Sequence, residues 1–163
     1  AWNALRSVRG RKSATELLRN LATLNCSGVA TLNEALRRGA TESRQPGVAV
    51  VLSDFLDSSG YETGLKALVA RGFQVDVVQI LAPEEIVPDF SGDFRLVDCE
   101  TGTVQEVTFG RFRAKAYQRV VQDFTQRLHD FCRNHGIKFF SVSSAVSLQD
   151  LLLKQLREAQ IWS

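Results

Sequence analysis

The sequence contains no methionine among its 163 residues. A chain without methionine has no initiator, and Ala1–Gly10 lacks the apolar core of a signal peptide. The expectation is an internal piece of a longer protein, or a processed one. Cysteine is scarce as well. Cys26, Cys99 and Cys132 are odd in number, far apart and without a C-x-x-C. That argues against a disulfide scaffold or a zinc knuckle, and for free thiols in a reducing, cytoplasmic setting. Charge of one sign is also lacking. Twenty basic and eighteen acidic side chains leave a net +2. A strongly polycationic binder of nucleic acid or of a membrane surface is thereby excluded. No apolar run approaches the ~20 residues of a membrane span.

What is present fits one folded domain. Hydrophobic residues make up 44% and charged residues 23%, inside the range of globular chains. Ser13-Ala-Thr-Glu16, Thr31-Leu-Asn-Glu34 and Ser59-Gly-Tyr-Glu62 read as capping boxes, with Ser147-Leu-Gln-Asp150 a weaker fourth. The helix after Thr31 is expected to stop at Gly39, and the one after Ser59 at Gly72. The longest helix is predicted between Arg111 and His135. Tyr117, Val120, Val121, Phe124, Leu128 and Phe131 recur there along one stripe, and Gly136 ends it.

Continuous apolar runs at Val48–Leu52, Phe73–Leu81 and Ile137–Val142 alternate with these helices. Such runs predict parallel strands covered on both faces. Phe94–Val97 and Val104–Phe109 flank Asp98-Cys-Glu-Thr-Gly102 and predict an inserted antiparallel hairpin. The fold class is α/β, a three-layer, doubly wound, mostly parallel sheet. Three parallel strands are fewer than the five or six of a complete sheet of this kind, so the sheet is expected to be incomplete.

In open parallel sheets, ligands bind outside the carboxyl ends of the strands. Asp54 stands at that address after the first strand, in Leu52-Ser53-Asp54. It reads either as a metal or substrate ligand or as a turn residue. Thr31 opens a helix and reads either as a ligand or as a helix cap. Asp98 and Glu100 flank the hairpin turn, and Glu84 and Glu85 follow Pro83 as capping or solvated residues. His129 and His135 are six apart, which is not a helix-borne metal spacing. Cys132 falls on the core side of its helix. Arg6, Arg9, Arg11 and Lys12 form a basic opening stretch, and Arg111, Arg113, Lys115 and Arg119 crowd a helix start, where positive charge opposes the helix dipole. Neither stretch has the aromatic interleaving of a single-strand nucleic-acid binder.

A threonine opening a helix, then an apolar strand ending in Ser-Asp, resembles two of the three elements of the metal-ion-dependent adhesion site of von Willebrand factor A domains. The strings "GVATLNEAL", "PGVAVVLSDFLD", "ALVARGFQVDVVQILAPEE", "FSGDFRLVDCETGTVQEVTF" and "CRNHGIKFFSVSS" are more specific. In that order they resemble a bacterial A-domain-like family, the uncharacterised domain family fifty-eight, often encoded beside MoxR-type AAA+ ATPases. The likeness runs from about Arg9 to Trp162. It implies that residues 1–163 are the C-terminal portion of a single von Willebrand factor A-like domain. It also implies that Thr31 and Asp54 are part of a metal site. The first element, Asp-x-Ser-x-Ser, is not in the chain, and Asp57-Ser-Ser-Gly60 does not match it. Mg²⁺ is therefore expected only in a full-length protein, not in this chain.

The function implied by the resemblance is a protein-interaction adaptor working with a MoxR-type AAA+ ATPase in assembly or maturation of other proteins. The alternative is a metal-dependent hydrolase using Asp54 with Asp98 or Glu100. A last expectation concerns Val48–Leu52, uncharged and free of proline. An incomplete sheet leaves it as an unprotected edge, covered either by a second copy, as a homodimer, or by residues 1–30.

Overall fold

The structure, a computed structural model, describes residues 11–23, 31–88, 92–97 and 102–151. Residues 1–30 form one compact unit and residues 31–163 another. In the first, helix α1 spans Arg11–Ala22. Ser13 is its third residue and so is not its N-cap, contrary to the capping-box reading. Leu18 and Leu21 on this helix are exposed.

The second unit runs α2 (Leu32–Glu42), β1 (Val48–Ser53), α3 (Glu62–Ala70), β2 (Gln74–Leu81), α4 (Pro83–Ile86), β3 (Gly92–Val97), β4 (Val104–Phe109), α5 (Arg111–Asn134), β5 (Lys138–Ser143) and α6 (Leu148–Asp150). The three predicted parallel strands form one sheet in the order β1-β2-β5. The predicted hairpin β3–β4 is a separate antiparallel pair. The fold is an incomplete α/β fold with a mostly parallel sheet.

Side chains alternate between the faces of a strand. On one face Ala49, Val51, Val75, Val77 and Phe139 meet α2, α3 and α5. There Leu65, Leu68, Leu128 and Cys132 are buried with them, and Leu36 and Phe124 pack alongside. Tyr61 anchors the aromatic part of this core, edge-on to Phe55, Phe124 and Phe131 at 5.8, 6.1 and 5.5 Å. On the opposite face Asp76, Val78 and Val142 are buried, while Val48, Val50 and Leu52 at the β1 edge are exposed.

Two helix ends follow the expected glycines. Gly72 has φ +84°, and the Phe73 N–H reaches back to the Leu68 carbonyl at 3.1 Å. Gly136 has φ +68°, and the Ile137 N–H reaches the Cys132 carbonyl at 2.9 Å. These are left-handed helix stops that satisfy orphan carbonyls. Gly39 does not behave this way. Helix α2 continues through it to Glu42, and the Ser43 hydroxyl and N–H then both donate to the Gly39 carbonyl. Ala40, one residue further, is buried in the core, so packing carries the helix past the glycine.

Helix α5 has 24 residues, which is about 36 Å of helix. The eight-residue β2 is about 26 Å long. Because α5 leads back to the start of a parallel strand, its own first turns overshoot the carboxyl ends of the sheet. Among its described side chains the first buried one is Val121. The hairpin hangs on this overshooting end, held by Arg113 Nη1 donating to the Thr108 carbonyl at 3.0 Å. Helix α4 packs against the same part of α5. Burial there pushes the Tyr117 phenol up, with the Glu85 carboxylate adding to the effect.

Candidate functional site

The carboxyl end of β1 turns sharply. Phe55 takes a positive φ of 64°, costly for a residue with a side chain. Three side chains hold it there. The Ser53 hydroxyl accepts from the Phe55 N–H at 3.1 Å, and Asp54 Oδ1 accepts from the Leu56 N–H at 3.1 Å. From β2, the buried Gln79 donates through Nε2 to the Asp54 carbonyl at 3.2 Å. The Phe55 ring is fully buried against Tyr61, so core packing offsets the backbone strain. The outcome is an exposed Asp54 side chain on a rigid turn.

Asp57 ties this turn to α2. One carboxylate oxygen accepts from the Leu32 N–H, the first orphan donor of that helix, and the other from the Ser59 N–H at 2.7 Å. The Leu32 N–H foremost, then the Ser59 N–H and hydroxyl, hold the Asp57 carboxyl below its ordinary range. Asn33 completes the tie, donating to the Ser59 carbonyl at 2.7 Å and accepting from the Gly64 N–H at 2.8 Å. Ser59 therefore does not cap α3. Its N–H is taken by Asp57, the helix begins at Glu62, and Glu62 reaches back to the Tyr61 N–H at 3.1 Å.

Thr31 is the N-cap of α2, its side chain accepting from the Glu34 N–H at 3.4 Å. Thr31 and Asp54 are thus brought to the same end of the sheet, linked through Asp57 and Leu32. Sequence reasoning missed Asp57, Asn33 and Gln79. The only local signal was the Asp-Ser-Ser-Gly string, which resembles a turn as much as a tie.

The donors do not fit a hard cation. Such an ion takes about six oxygen ligands, several of them carboxylates. Both Asp57 oxygens and one Asp54 oxygen are engaged with N–H groups, and Thr31 caps its helix. Among the described residues no three His, Cys, Asp or Glu side chains cluster at a spacing that could hold a metal.

The remaining singled-out residues have structural partners. His135 Nδ1 bonds the Phe131 carbonyl at 2.8 Å, and its ring stacks on Phe131 at 4.2 Å. His129 lies 3.3 Å from Asp130 and edge-on to Phe139. Glu85 accepts from the Ala82 N–H at 2.6 Å. Burial pushes the Cys132 thiol up to about 12, so it is not a nucleophile at neutral pH. Arg113 bonds the hairpin, while Lys115 and Arg119 are exposed. Asp98, Glu100, Cys26, Cys99, Arg6 and Arg9 lie outside the described residues.

An uncharacterized protein of Mycobacterium avium is 38% identical over 106 residues, which is 61% of this chain and 60% of that protein. Uncharacterized proteins of Mycobacterium bovis and Mycobacterium tuberculosis are 35% identical over 104 residues, 60% of this chain and 31% of theirs. The chain therefore covers less than two thirds of the length of these relatives. The crystal structure of the conserved hypothetical protein BatB from Bacteroides thetaiotaomicron aligns with TM-score 0.43 and 14% identity, over 93% of this chain and 70% of that one. The family described as "Protein of unknown function DUF58" matches residues 3–127, and the chain belongs to that family.

Proposed function

We propose that this chain is a protein-interaction module of a von Willebrand factor A-like protein. The observation that carries the reading is the β3–β4 hairpin. It stands apart from the main sheet, beyond the strand ends, and exposes Leu96, Val97 and Val104. An isolated two-stranded ribbon gains little from its own contacts. Exposed apolar residues on such an arm are a docking feature more than a core feature. The Asp54 turn shares that end of the sheet, so arm and turn can face one partner.

The partner we propose first is a MoxR-type AAA+ ATPase, on the strength of the resemblance that brought this family into view. The role would be assembly or maturation of other proteins. A cation shared between the Asp54 turn and a partner carboxylate remains a proposal for a longer protein and plays no part in this reading. The hydrolase alternative needs carboxylates converging on Asp54; Asp57 on the same turn has both oxygens engaged with N–H groups, and Asp98 and Glu100 lie outside the described residues.

The test is direct binding of a purified MoxR-type ATPase from the same genome, measured by calorimetry. Val97→Lys and Val104→Lys should weaken binding at least about tenfold, the loss of two buried anchors. Their thermal midpoints should match that of the unmodified chain. Equal binding by the variants would defeat the hairpin as the docking element.

A further inference from the structure

Helix α5 begins against its own electrostatics. A helix start carries partial positive charge and favours acidic side chains. The first turn of α5 has no acidic residue, and Arg111, Arg113, Lys115 and Arg119 follow one another there. Arg113 has a structural use, since it holds the hairpin through the Thr108 carbonyl. Lys115 and Arg119 do not. Both are exposed, and neither makes a hydrogen bond or an ion pair among the described residues.

The nearby acids are engaged or turned away. Lys115 and Arg119 stand one turn apart along the helix and about 40° apart around it. Tyr117 lies about 160° from each. Tyr117 is where the Glu85 carboxylate of α4 is felt, so α4 is on the far side of α5. Asp93 of the hairpin accepts from the Thr108 hydroxyl, and Glu106 stands opposite Arg95. Asp123 is one turn beyond Arg119, in the order basic before acidic, which is the weaker orientation on a helix.

An apolar feature shares this surface. Val120 is 61% exposed, although its spacing predicts a place on the buried stripe. Arg113, Ala116 and Val120 follow at steps of three and four, and Ala116 is exposed too. Such steps keep residues on one side of a helix. Val120 is therefore on the side from which Arg113 holds the hairpin. Helix α5 packs on β5, at the edge of the sheet away from β1. A strand added beside β1 would leave the outer face of α5 as it is.

We propose that Lys115 and Arg119, with Val120 between them and the hairpin, receive an acidic surface of the protein on which the hairpin docks. This rests on reading the hairpin as a docking element, and it names the chemistry that the hairpin's partner carries beside it. Carboxylates from a partner offset the repulsion between these cations and the helix start. The valine favours a protein over a nucleic acid. Phosphates would take the cations and leave Val120 in water, whereas a protein surface covers an apolar centre and its charged rim together.

The test has two arms. The first uses the 163-residue chain and fluorescent poly-L-glutamate, followed by anisotropy. Binding should be measurable at low salt and weaken as salt rises. Lys115→Glu with Arg119→Glu should weaken it about tenfold or more. Arg37→Glu with Arg44→Glu, exposed cations on α2 and before β1, should leave it within about twofold. The thermal midpoint of the α5 variant should hold or rise, because an anion suits a helix start better than a cation. An α5 variant that binds poly-L-glutamate as well as the unmodified chain overturns the proposal. So does an Arg37/Arg44 variant that is equally damaging, or a single-stranded oligonucleotide bound more tightly than poly-L-glutamate.

The second arm uses the purified MoxR-type ATPase. Rim charge governs encounter more than residence. Lys115→Glu with Arg119→Glu should slow association about tenfold and leave dissociation nearly unchanged. Val97→Lys and Val104→Lys should instead speed dissociation. An ATPase that associates equally fast with the α5 variant overturns the proposal. An ATPase that binds neither chain removes the partner named above, while a poly-L-glutamate result as expected keeps the acidic surface in place.

Discussion

In β2, Val75 and Val77 are closed off by leucines from α3 and α5. In the hairpin, Leu96, Val97 and Val104 stand in solvent. Both regions are strands of ordinary β-forming residues, yet they are held together by different things. The sheet is held by a packed layer, which converts alternation into burial. Among the described residues, Leu96, Val97 and Val104 of the hairpin are left exposed by any such layer. Its cross-strand pairs alternate: Asp93 opposite Thr108, joined at 2.7 Å, and Arg95 opposite Glu106 are polar, while Phe94 opposite Val107 and Val97 opposite Val104 are apolar. Apolar area without a covering layer contributes little to folding.

The largest expected effect follows from that contrast. Leu128 is fully buried in the core cluster that also holds Val75, Val77 and Tyr61. Leu128→Ala should cost about 2–5 kcal/mol in denaturant unfolding, the usual range for a buried leucine. Leu96→Ala, on the hairpin, should stay within about 0.5 kcal/mol. A hairpin variant as damaging as the core variant would mean that the hairpin packs on something, and the comparison would break.

Gly64→Ala comes next. A Cβ there would sit 2.7 Å from Leu36 Cβ and 2.9 Å from Leu36 Cδ1, with Asn33 Oδ1 at 3.1 Å. α2 and α3 pack closely at this glycine. Overpacking of this kind costs about 1–3 kcal/mol, read as a lowered thermal midpoint. Leu36→Ala in the same chain removes the Cδ1 contact but keeps Cβ, so it should recover little of the loss, whereas Leu36→Gly would remove both.

The contact at Gly64 marks a limit of sequence reasoning. Parallel strands, the hairpin and the glycine stops at 72 and 136 were legible because each is written in a local run or a single left-handed residue. Thr31 was legible as a cap because its partner is three residues away. Ser59 was not, because the group that claims its N–H is Asp57, whose other oxygen reaches Leu32, 25 residues earlier. Gln79 reads as an unremarkable polar residue in an apolar strand until it is seen holding the Asp54 carbonyl. Long-range ties leave no periodic trace. The helix-covered core could be read from the sequence, and most of the strand-end turn could not.

Asp57 gives a smaller effect with a pH signature. Asp57→Ala removes the acceptor for the first N–H of α2, worth about 1 kcal/mol as a helix cap. The folded carboxyl is held below its unfolded value of about 3.9. Its contribution is therefore full above that value and is lost as pH falls through the lower folded value. The stability gap between the chain and Asp57→Ala should be constant near neutrality and close below about pH 4. A gap that persists unchanged in strong acid would show that the carboxylate charge is not what holds the loop to α2.

The smallest expected effect concerns Mg²⁺. Asp54, on a turn whose other carboxylate, Asp57, has both oxygens engaged with N–H groups, cannot by itself replace the hydration shell of a hard cation. A dissociation constant of about 10 mM and about 5 mM Mg²⁺ would give only about 0.2 kcal/mol of stabilisation by mass action. For a domain of this size that is a shift of under about 1 °C in thermal midpoint. Asp54→Asn should leave the midpoint with Mg²⁺ unchanged within the same margin. If Mg²⁺ raised the midpoint by several degrees and Asp54→Asn removed the rise, the strand-end turn would be a working cation site. The contrast between a rigid Asp54 turn and a separate docking hairpin would then have to be redrawn as one metal-bridged surface.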